Sequence, residues 1–257
     1  VNARSFPVLM LHGQPGGGRD WGRVVVELGE HAEPIAVDRP GWDGHSRALD
    51  LEGNALAALA ALDARDMERA VIAGHSLGAA IAAWLAAHHP ARVQALVLAA
   101  PAANRASIEP VDRLLAGPLT GEMMTAASLT GLGLALSLRP VRRRIASRWA
   151  LPDRYLNAAG RALLTGWAHR AFLTEQRWLV RDLPDLERTL PRITAPTTIL
   201  TGAHDWIVPA QAPRALADQI PGARLVVLDR VGHLLPQLSA PRVAEAIRSA
   251  LPDPATD

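Results

Sequence analysis

A serine stands between two glycines at Gly74-His75-Ser76-Leu77-Gly78, where the apolar, β-branched run through Val71, Ile72 and Ala73 gives way to an alanine-rich stretch from Ala79. The first run reads as a buried strand and the second as a helix, so Ser76 falls on the turn between them. A serine at the tip of such a turn is held in a strained backbone conformation, and small residues two positions to either side let the chain pass close by. The following helix points its unpaired N–H groups at the turn, where they stabilise a developing negative charge. These are the needs of a hydroxyl that attacks an acyl carbon. Such a hydroxyl also needs a base, and the base needs a carboxylate to hold its tautomer and stabilise the imidazolium that forms.

Two further loops supply those types. Asp205 follows the apolar run 197–200 in Thr201-Gly202-Ala203-His204-Asp205, and His233 follows the run 224–228 in Val231-Gly232-His233. Parallel sheets bind ligands at the carboxyl ends of their strands, so three loops that each follow a strand can deliver Ser76, Asp205 and His233 to one place. Nine histidines compete for the base. His75 adjoins Ser76 too closely to act as an aligned base, His204 adjoins Asp205 and would point elsewhere, and His88 and His89 lie at the far end of a helix. His233 has a glycine before it, a strand end just upstream and apolar Leu234-Leu235 after it.

The elements that must position these residues alternate. Phe6 to Leu11 reads as a strand ending in the loop His12-Gly13-Gln14-Pro15-Gly16-Gly17-Gly18. Arg19 to Glu30 has helical spacing, and Pro34 to Val37 is a short strand closing on Asp38-Arg39-Pro40-Gly41-Trp42-Asp43-Gly44-His45-Ser46. Asn54 is a plausible N-cap for a helix through about Arg65, and Val93 to Ala99 is another buried strand. From about 104 to 191 the strands stop, and helical stretches broken by Gly and Pro take over, among them 132–138, 145–150, 158–164 and 176–180. Alternation resumes with a strand at 197–200, a helix from about 210 to 220, a strand at 224–228 and a last helix from near 241 to 251. Near-continuous apolar strands alternating with helices predict a mostly parallel, doubly wound α/β sheet covered on both faces. The expected organisation is a core over 1–104 and 192–257, interrupted by a helical cap over 105–191.

Taken together, these residues resemble the α/β-hydrolase-fold serine hydrolases, in the esterase, lipase and haloperoxidase-like group. The resemblance spans nearly the whole chain: His12 to Gly16, Asp38 to Gly41, Gly74 to Gly78, Gly202 to Asp205 and Gly232-His233. It implies the chain order nucleophile, acid, base found here, and an oxyanion hole made by the backbone N–H groups of Gln14 and Leu77. It also implies that His12 is a structural loop residue. Three departures matter. Only eleven residues precede His12, so the N-terminal β-hairpin of the family is expected to be absent or trimmed, a reading that the start at Val1 rather than Met reinforces. The loop after Asp38 carries an extra residue, Trp42-Asp43 before Gly44, which is expected to bring Trp42 or His45 to the pocket rim; Trp206 is the other candidate substrate contact. A serine nucleophile in place of aspartate argues against dehalogenase and epoxide hydrolase chemistry.

The implied function is hydrolysis of a small to medium hydrophobic ester through a Ser76 acyl-enzyme. Carbon–carbon bond hydrolysis, perhydrolysis and acyl transfer use the same triad, and a ligand-binding member of the fold is the non-enzymatic alternative. Composition narrows the partners. The isoelectric point near 10.2 does not mark a nucleic-acid-binding face, because the formal net charge is only +2 and all 27 basic residues are arginine. With no Lys, no Cys and one Tyr, little titrates between histidine and arginine, and a slight excess of positive charge drives the value up. The absence of Cys excludes disulfides and thiolate chemistry. No metal or organic cofactor is implied, since ligand spacings and the dinucleotide-binding glycine pattern are missing. No 18-residue apolar run or signal segment is present. The expectation is a cytoplasmic protein acting on a small molecule, as a monomer or homodimer.

Overall fold

In the computed structural model, residues 6–252 are described; Val1 and the rest of 1–5 lie outside them. Six strands are hydrogen-bonded in the order β2-β1-β3-β4-β5-β6: β1 (Phe6–Leu11), β2 (Ala32–Val37), β3 (Ala70–His75), β4 (Val93–Ala99), β5 (Thr197–Gly202) and β6 (Arg224–Leu228). Every neighbouring pair is parallel. Among the described residues there is thus no antiparallel hairpin, and β2 forms one edge. Pro34 sits in that edge strand opposite Val8, a place where a missing N–H is tolerated, and the strand begins two residues earlier than the sequence suggested.

Side chains leave a strand to alternate faces, which is why one apolar run can feed two cores. Leu9 and Leu11, with Ile72, Leu96 and Leu98, join a core with the helices α2 (Leu51–Asp63) and α3 (Leu77–His88). Val8 and Met10, with Val71, Ala73 and Val97, face the other way against α1 (Gly22–Leu28). The direction of the chain reverses at β1, which lies between β2 and β3. Crevices open at such a switch point, so the loops after β1 and β3 flank the natural ligand site.

Between β4 and β5 the chain inserts five helices: α4 (Pro110–Ala116), α5 (Thr120–Ser137), α6 (Arg139–Trp149), α7 (Asp153–Leu163) and α8 (Gly166–Thr189). Leu129, Leu136, Leu151, Leu156 and Leu163 form a small core of their own. The second half of α8 differs, since Trp178, Leu179, Leu183 and Leu186 pack into the main core. The insertion is therefore anchored along one helix and rests on its own apolar cluster elsewhere. The remaining helices, α9 (Gln211–Gln219), α10 (Leu235–Leu238) and α11 (Ala240–Arg248), complete the two faces. No helix among the described residues is long and apolar enough to cross a membrane.

Two local expectations are corrected. Asp50, not Asn54, caps α2: its carboxylate accepts the Gly53 N–H at 3.0 Å. Asn54 lies buried in the first turn, and its amide reaches back to the carbonyls of Leu49 and Asp50 at 2.8 and 2.9 Å. A carboxylate one turn earlier is the better partner for the positive end of the helix. The segment expected as one helix over 19–30 is split into a 3-10 turn (Gly18–Trp21), α1 and a second short turn (Gly29–His31), because Gly29 takes a positive φ of 61°.

Glycines at the switch point are fixed by contact, not by turn chemistry. A Cβ on Gly78 would press on the Leu11 carbonyl and lie 2.6 Å from the carbonyl oxygen of His12, whereas one on Gly131, within α5, would meet nothing within 4 Å. Gly78→Ala is therefore expected to destabilise the protein by about 1–3 kcal/mol through overpacking against backbone. Gly131→Ala should stabilise it by roughly 1 kcal/mol through helix propensity. Urea unfolding of both variants checks the pair, and equal effects would refute the contact argument.

Candidate active site

Ser76 follows β3 with φ 53° and ψ −120°, a conformation that costs a non-glycine residue on the order of 1–3 kcal/mol. Surrounding hydrogen bonds hold it there. Its N–H donates to the Ala99 carbonyl at 2.9 Å, and its carbonyl accepts from Ala79 and Ala102 at 3.0 and 3.2 Å. A Cβ on Gly74 would lie 2.6 Å from the Ala79 Cα, and one on Gly13 would lie 2.9 Å from the Ser76 Cβ. The missing side chains are what let the loop after β1 lie directly over the serine. In that loop and at the head of α3, the N–H groups of Gln14 and Leu77 have no acceptor among the described residues.

The loops after β5 and β6 are zipped together. Ala203 N–H donates to Leu228 and His204 N–H to Val231, each at 2.9 Å. Gly202 allows this, since a Cβ there would clash with the Val231 carbonyl and sit 2.6 Å from that of Gly232. The result brings Asp205 Oδ2 to 2.8 Å from His233 Nδ1. The other carboxylate oxygen accepts the N–H groups of Ile207 and Val208 at 2.9 and 3.0 Å. Burial opposes ionisation of Asp205, but the hydrogen bond and charge of His233 and the two N–H donors outweigh it and hold the pKa low. An ionised Asp205 fixes the His233 proton on Nδ1 and leaves Nε2 as the acceptor.

His75, set aside as a base, has a different task. Its Nε2–H donates to the His233 carbonyl at 3.0 Å, and the two rings lie 5.1 Å apart. Burial and the neighbouring His233 push its pKa down to about 3, so it stays neutral and ties the β3 strand end to the histidine loop. His204 is exposed, and His88 stacks on Trp84 at 4.2 Å. Trp206, on the Asp205 loop, is 85% exposed. Trp42 is only 5% exposed and is held edge-on between His12 and Trp167, each 6.3 Å away. The His45 side chain is 83% exposed.

The residues that sequence reasoning missed lie beneath the loop after β1. Arg39 is buried, and its guanidinium donates to the carbonyls of His12 and Gly13 at 3.1 and 3.0 Å. It is paired with Glu175 of α8 through two hydrogen bonds, Nη1 to Oε1 and, at 3.2 Å, Nη2 to Oε2. Burial pushes the Glu175 pKa up against the pull of Arg39. His12 accepts the Arg39 N–H on Nε2 at 3.0 Å and donates from Nδ1 to Gly13, while burial and Arg39 hold its pKa well down. Next to Glu175, Gln176 accepts from the Gln14 side chain at 2.8 Å and donates to Asp112 of α4 at 2.9 Å. One signal was available. Glu175 falls on the stripe Ala168, Ala171, Trp178, Leu179, Leu183, Leu186, where a helical period calls for an apolar residue.

A third polar tie is Asp20, which accepts from Gly17 N–H at 3.1 Å and from the Tyr155 hydroxyl of α7 at 2.9 Å. Burial raises its pKa to about 6. Among the described residues no three His, Asp or Glu side chains are grouped to hold a metal ion.

Comparison with known proteins places this arrangement in a family. The model for the alpha/beta hydrolase fold matches residues 7–237, and the chain belongs to that family. It is 32% identical over 263 residues to lipase LipV of Mycobacterium tuberculosis, covering 95% of this chain and 92% of that protein. It is 29% identical over 242 residues to a 2-hydroxymuconate semialdehyde hydrolase of Pseudomonas sp. (strain CF600), covering 89% and 80% respectively. Among solved structures, a thermophilic esterase from Thermogutta terrifontis superposes with a TM-score of 0.72 at 24% identity, over 96% of this chain and 90% of that one. That likeness is one of fold.

The buried charges make two predictions. Glu175→Gln leaves Arg39 without its counter-charge and should cost about 3–5 kcal/mol in urea unfolding. The double variant Arg39→Met/Glu175→Leu should be more stable than Glu175→Gln alone, and the reverse order would show that the bonds of Arg39 to the His12 and Gly13 carbonyls outweigh its unpaired charge. Asp20 titrates near 6 folded and 3.8 unfolded, so its neutral form favours the folded state below pH 4, and that contribution is lost as pH rises through 6. Wild type should lose on the order of 3 kcal/mol between pH 4 and 7 from this group. Asp20→Asn should lack that share of the slope.

Proposed function

We propose that this chain is a serine hydrolase of carboxylic esters, acting through Ser76, His233 and Asp205. The observation that carries this is the Asp205–His233 hydrogen bond of 2.8 Å on loops converging on a serine with φ 53°. The Ser76 hydroxyl gives its proton to His233 Nε2 as Oγ attacks the ester carbonyl. The oxygen of the tetrahedral intermediate is received by the N–H groups of Gln14 and Leu77, aided by the positive end of α3. His233 then returns the proton to the departing alkoxide. Water, deprotonated by the same nitrogen, frees the acid from the acyl-enzyme. Asp205 stays ionised throughout and balances the imidazolium.

The five-helix insertion acts as the cap of this site. Trp206, exposed beside Asp205, is the better placed of the two candidate substrate contacts. Trp42 supports the cap through its packing on Trp167. The lipase relative favours the ester reading. The semialdehyde hydrolase relative favours carbon–carbon bond hydrolysis by the same residues as the second reading.

Release of p-nitrophenol from a chain-length series of esters tests the proposal. Wild type should turn over many times, Ser76→Ala should lose activity by at least about a thousandfold, and Asp205→Asn should lose about ten-thousandfold through the wrong His233 tautomer. A folded wild type that does not cycle on any ester, but cleaves a vinylogous diketone in a Ser76-dependent way, would overturn the ester reading in favour of the second.

A further inference from the structure

Beside the insertion lies a pocket of about 540 Å³, within the range of small-molecule sites. It opens between the turn Gly18–Trp21 with α1 on one side and the start of α7 on the other, and Gln237 of α10 closes its inner end. Ser76, Asp205 and His233 are not among its walls. Its chemistry is two-sided. Val26, Leu151 and Pro152 give it an apolar wall, and Val26 is 79% exposed there with nothing covering it.

The polar side is cationic. Arg19, Arg23 and Arg154 line the pocket. Arg23 is committed to main-chain carbonyls, donating to Gln237 at 2.8 Å and Ala150 at 3.3 Å. Arg19 and Arg154 make no ion pair or hydrogen bond among the described residues, although Asp20 and Asp38 lie near enough to Arg19 for its charge to be felt at Asp20. The opposing acids are few. Glu27 lies on the α1 side, and Asp20 is buried behind the surface with both oxygens already held by Gly17 and Tyr155. Two guanidiniums without a direct partner over an apolar wall suit a molecule with an anionic head and an apolar body. The planar guanidinium fork matches a carboxylate.

We propose that this pocket is a second binding site, separate from Ser76, for an amphiphilic carboxylate whose head pairs with Arg19 and Arg154 and whose chain lies on Val26, Leu151 and Pro152. The site is read from its own walls and does not depend on the chemistry assigned to Ser76. The same walls are wired to the catalytic loops. Asp20 holds the N–H of Gly17, in the loop after β1, and Arg23 holds the carbonyl of Gln237, just downstream of His233.

Isothermal titration with octanoate tests the site, with wild type beside the double variant Arg19→Ala/Arg154→Ala and the wall variant Val26→Asp. All three positions are exposed, and unchanged melting temperatures would confirm that the variants fold. Saturable one-to-one binding to wild type is expected, weakened about tenfold or more in each variant, which corresponds to about 1.4 kcal/mol. Octan-1-ol, with the chain but not the charge, should bind more weakly than octanoate by a similar factor. Octanoate binding that is equal in wild type and both variants, or that is matched by octan-1-ol, would overturn the proposal. So would the absence of saturable binding to wild type.

Discussion

The structure turns on one close approach, that of the loop after β1 to the first turn of α3. A side chain on Gly78 would collide with the carbonyls of Leu11 and His12, and one on Gly13 would collide with Ser76 itself. Only because both positions lack a Cβ can two neighbouring parallel strands send their loops over the same point. The left-handed φ of Ser76 is the consequence. The chain must reverse from strand to helix within one residue while its neighbours press from both sides, so the strain is held in place by packing that nothing short of local unfolding releases. The N–H groups of Gln14 and Leu77 are left without acceptors among the described residues, and polar groups of that kind are stable only where a ligand or solvent can reach them.

A second level of organisation is electrostatic and joins the insertion to that same loop. Arg39 collects the carbonyls of His12 and Gly13 and is neutralised by Glu175 of α8. Gln14 is tied to Gln176, and Gln176 to Asp112. Asp20 ties Gly17 to Tyr155. Pairs on the surface, such as Arg242 with Glu245, contribute little because water and salt screen them. The buried set differs in kind. Removing one member leaves a desolvated charge or an orphaned carbonyl, so each tie specifies geometry more than it adds net stability.

Much of the core was legible because its signals are local. The apolar runs and the glycine-flanked turn each lie within a dozen residues, and period and composition suffice to read them. Asn54 and the helix over 19–30 were misread for a local reason too, since Asp50 competes for the same cap and Gly29 breaks the helix by its backbone. The ties beneath the loop were not legible because their partners are 136 and 162 residues apart. Arg39 stood inside a recognised motif, yet nothing in its neighbourhood names an acid in α8. Glu175 alone carried a hint, as a charge where the helical stripe demands an apolar side chain. The placement of Trp42 could not be read because it depends on Trp167, contributed by the insertion.

Relatives within the family are named for acting on quite different bonds, a lipase and a semialdehyde hydrolase among them, and a shared fold does not choose between such chemistries. The choice must lie in parts that the common core does not dictate. In this chain the insertion is the obvious part, and its attachment is informative. Half of α8 is sunk in the main core, so the insertion cannot swing as a rigid body about its two ends without opening that core. The helices α5, α6 and α7 instead pack on a separate small cluster. Yet α4 reaches the proposed oxyanion residue through Gln176, and α7 reaches the same loop through Tyr155. These ties run from side chain to side chain, Asp112 to Gln176 to Gln14 and Tyr155 to Asp20, so the insertion and the loop after β1 are braced against each other. A change in the insertion is therefore felt at the loop after β1, which makes the insertion the part through which members of one fold can come to differ.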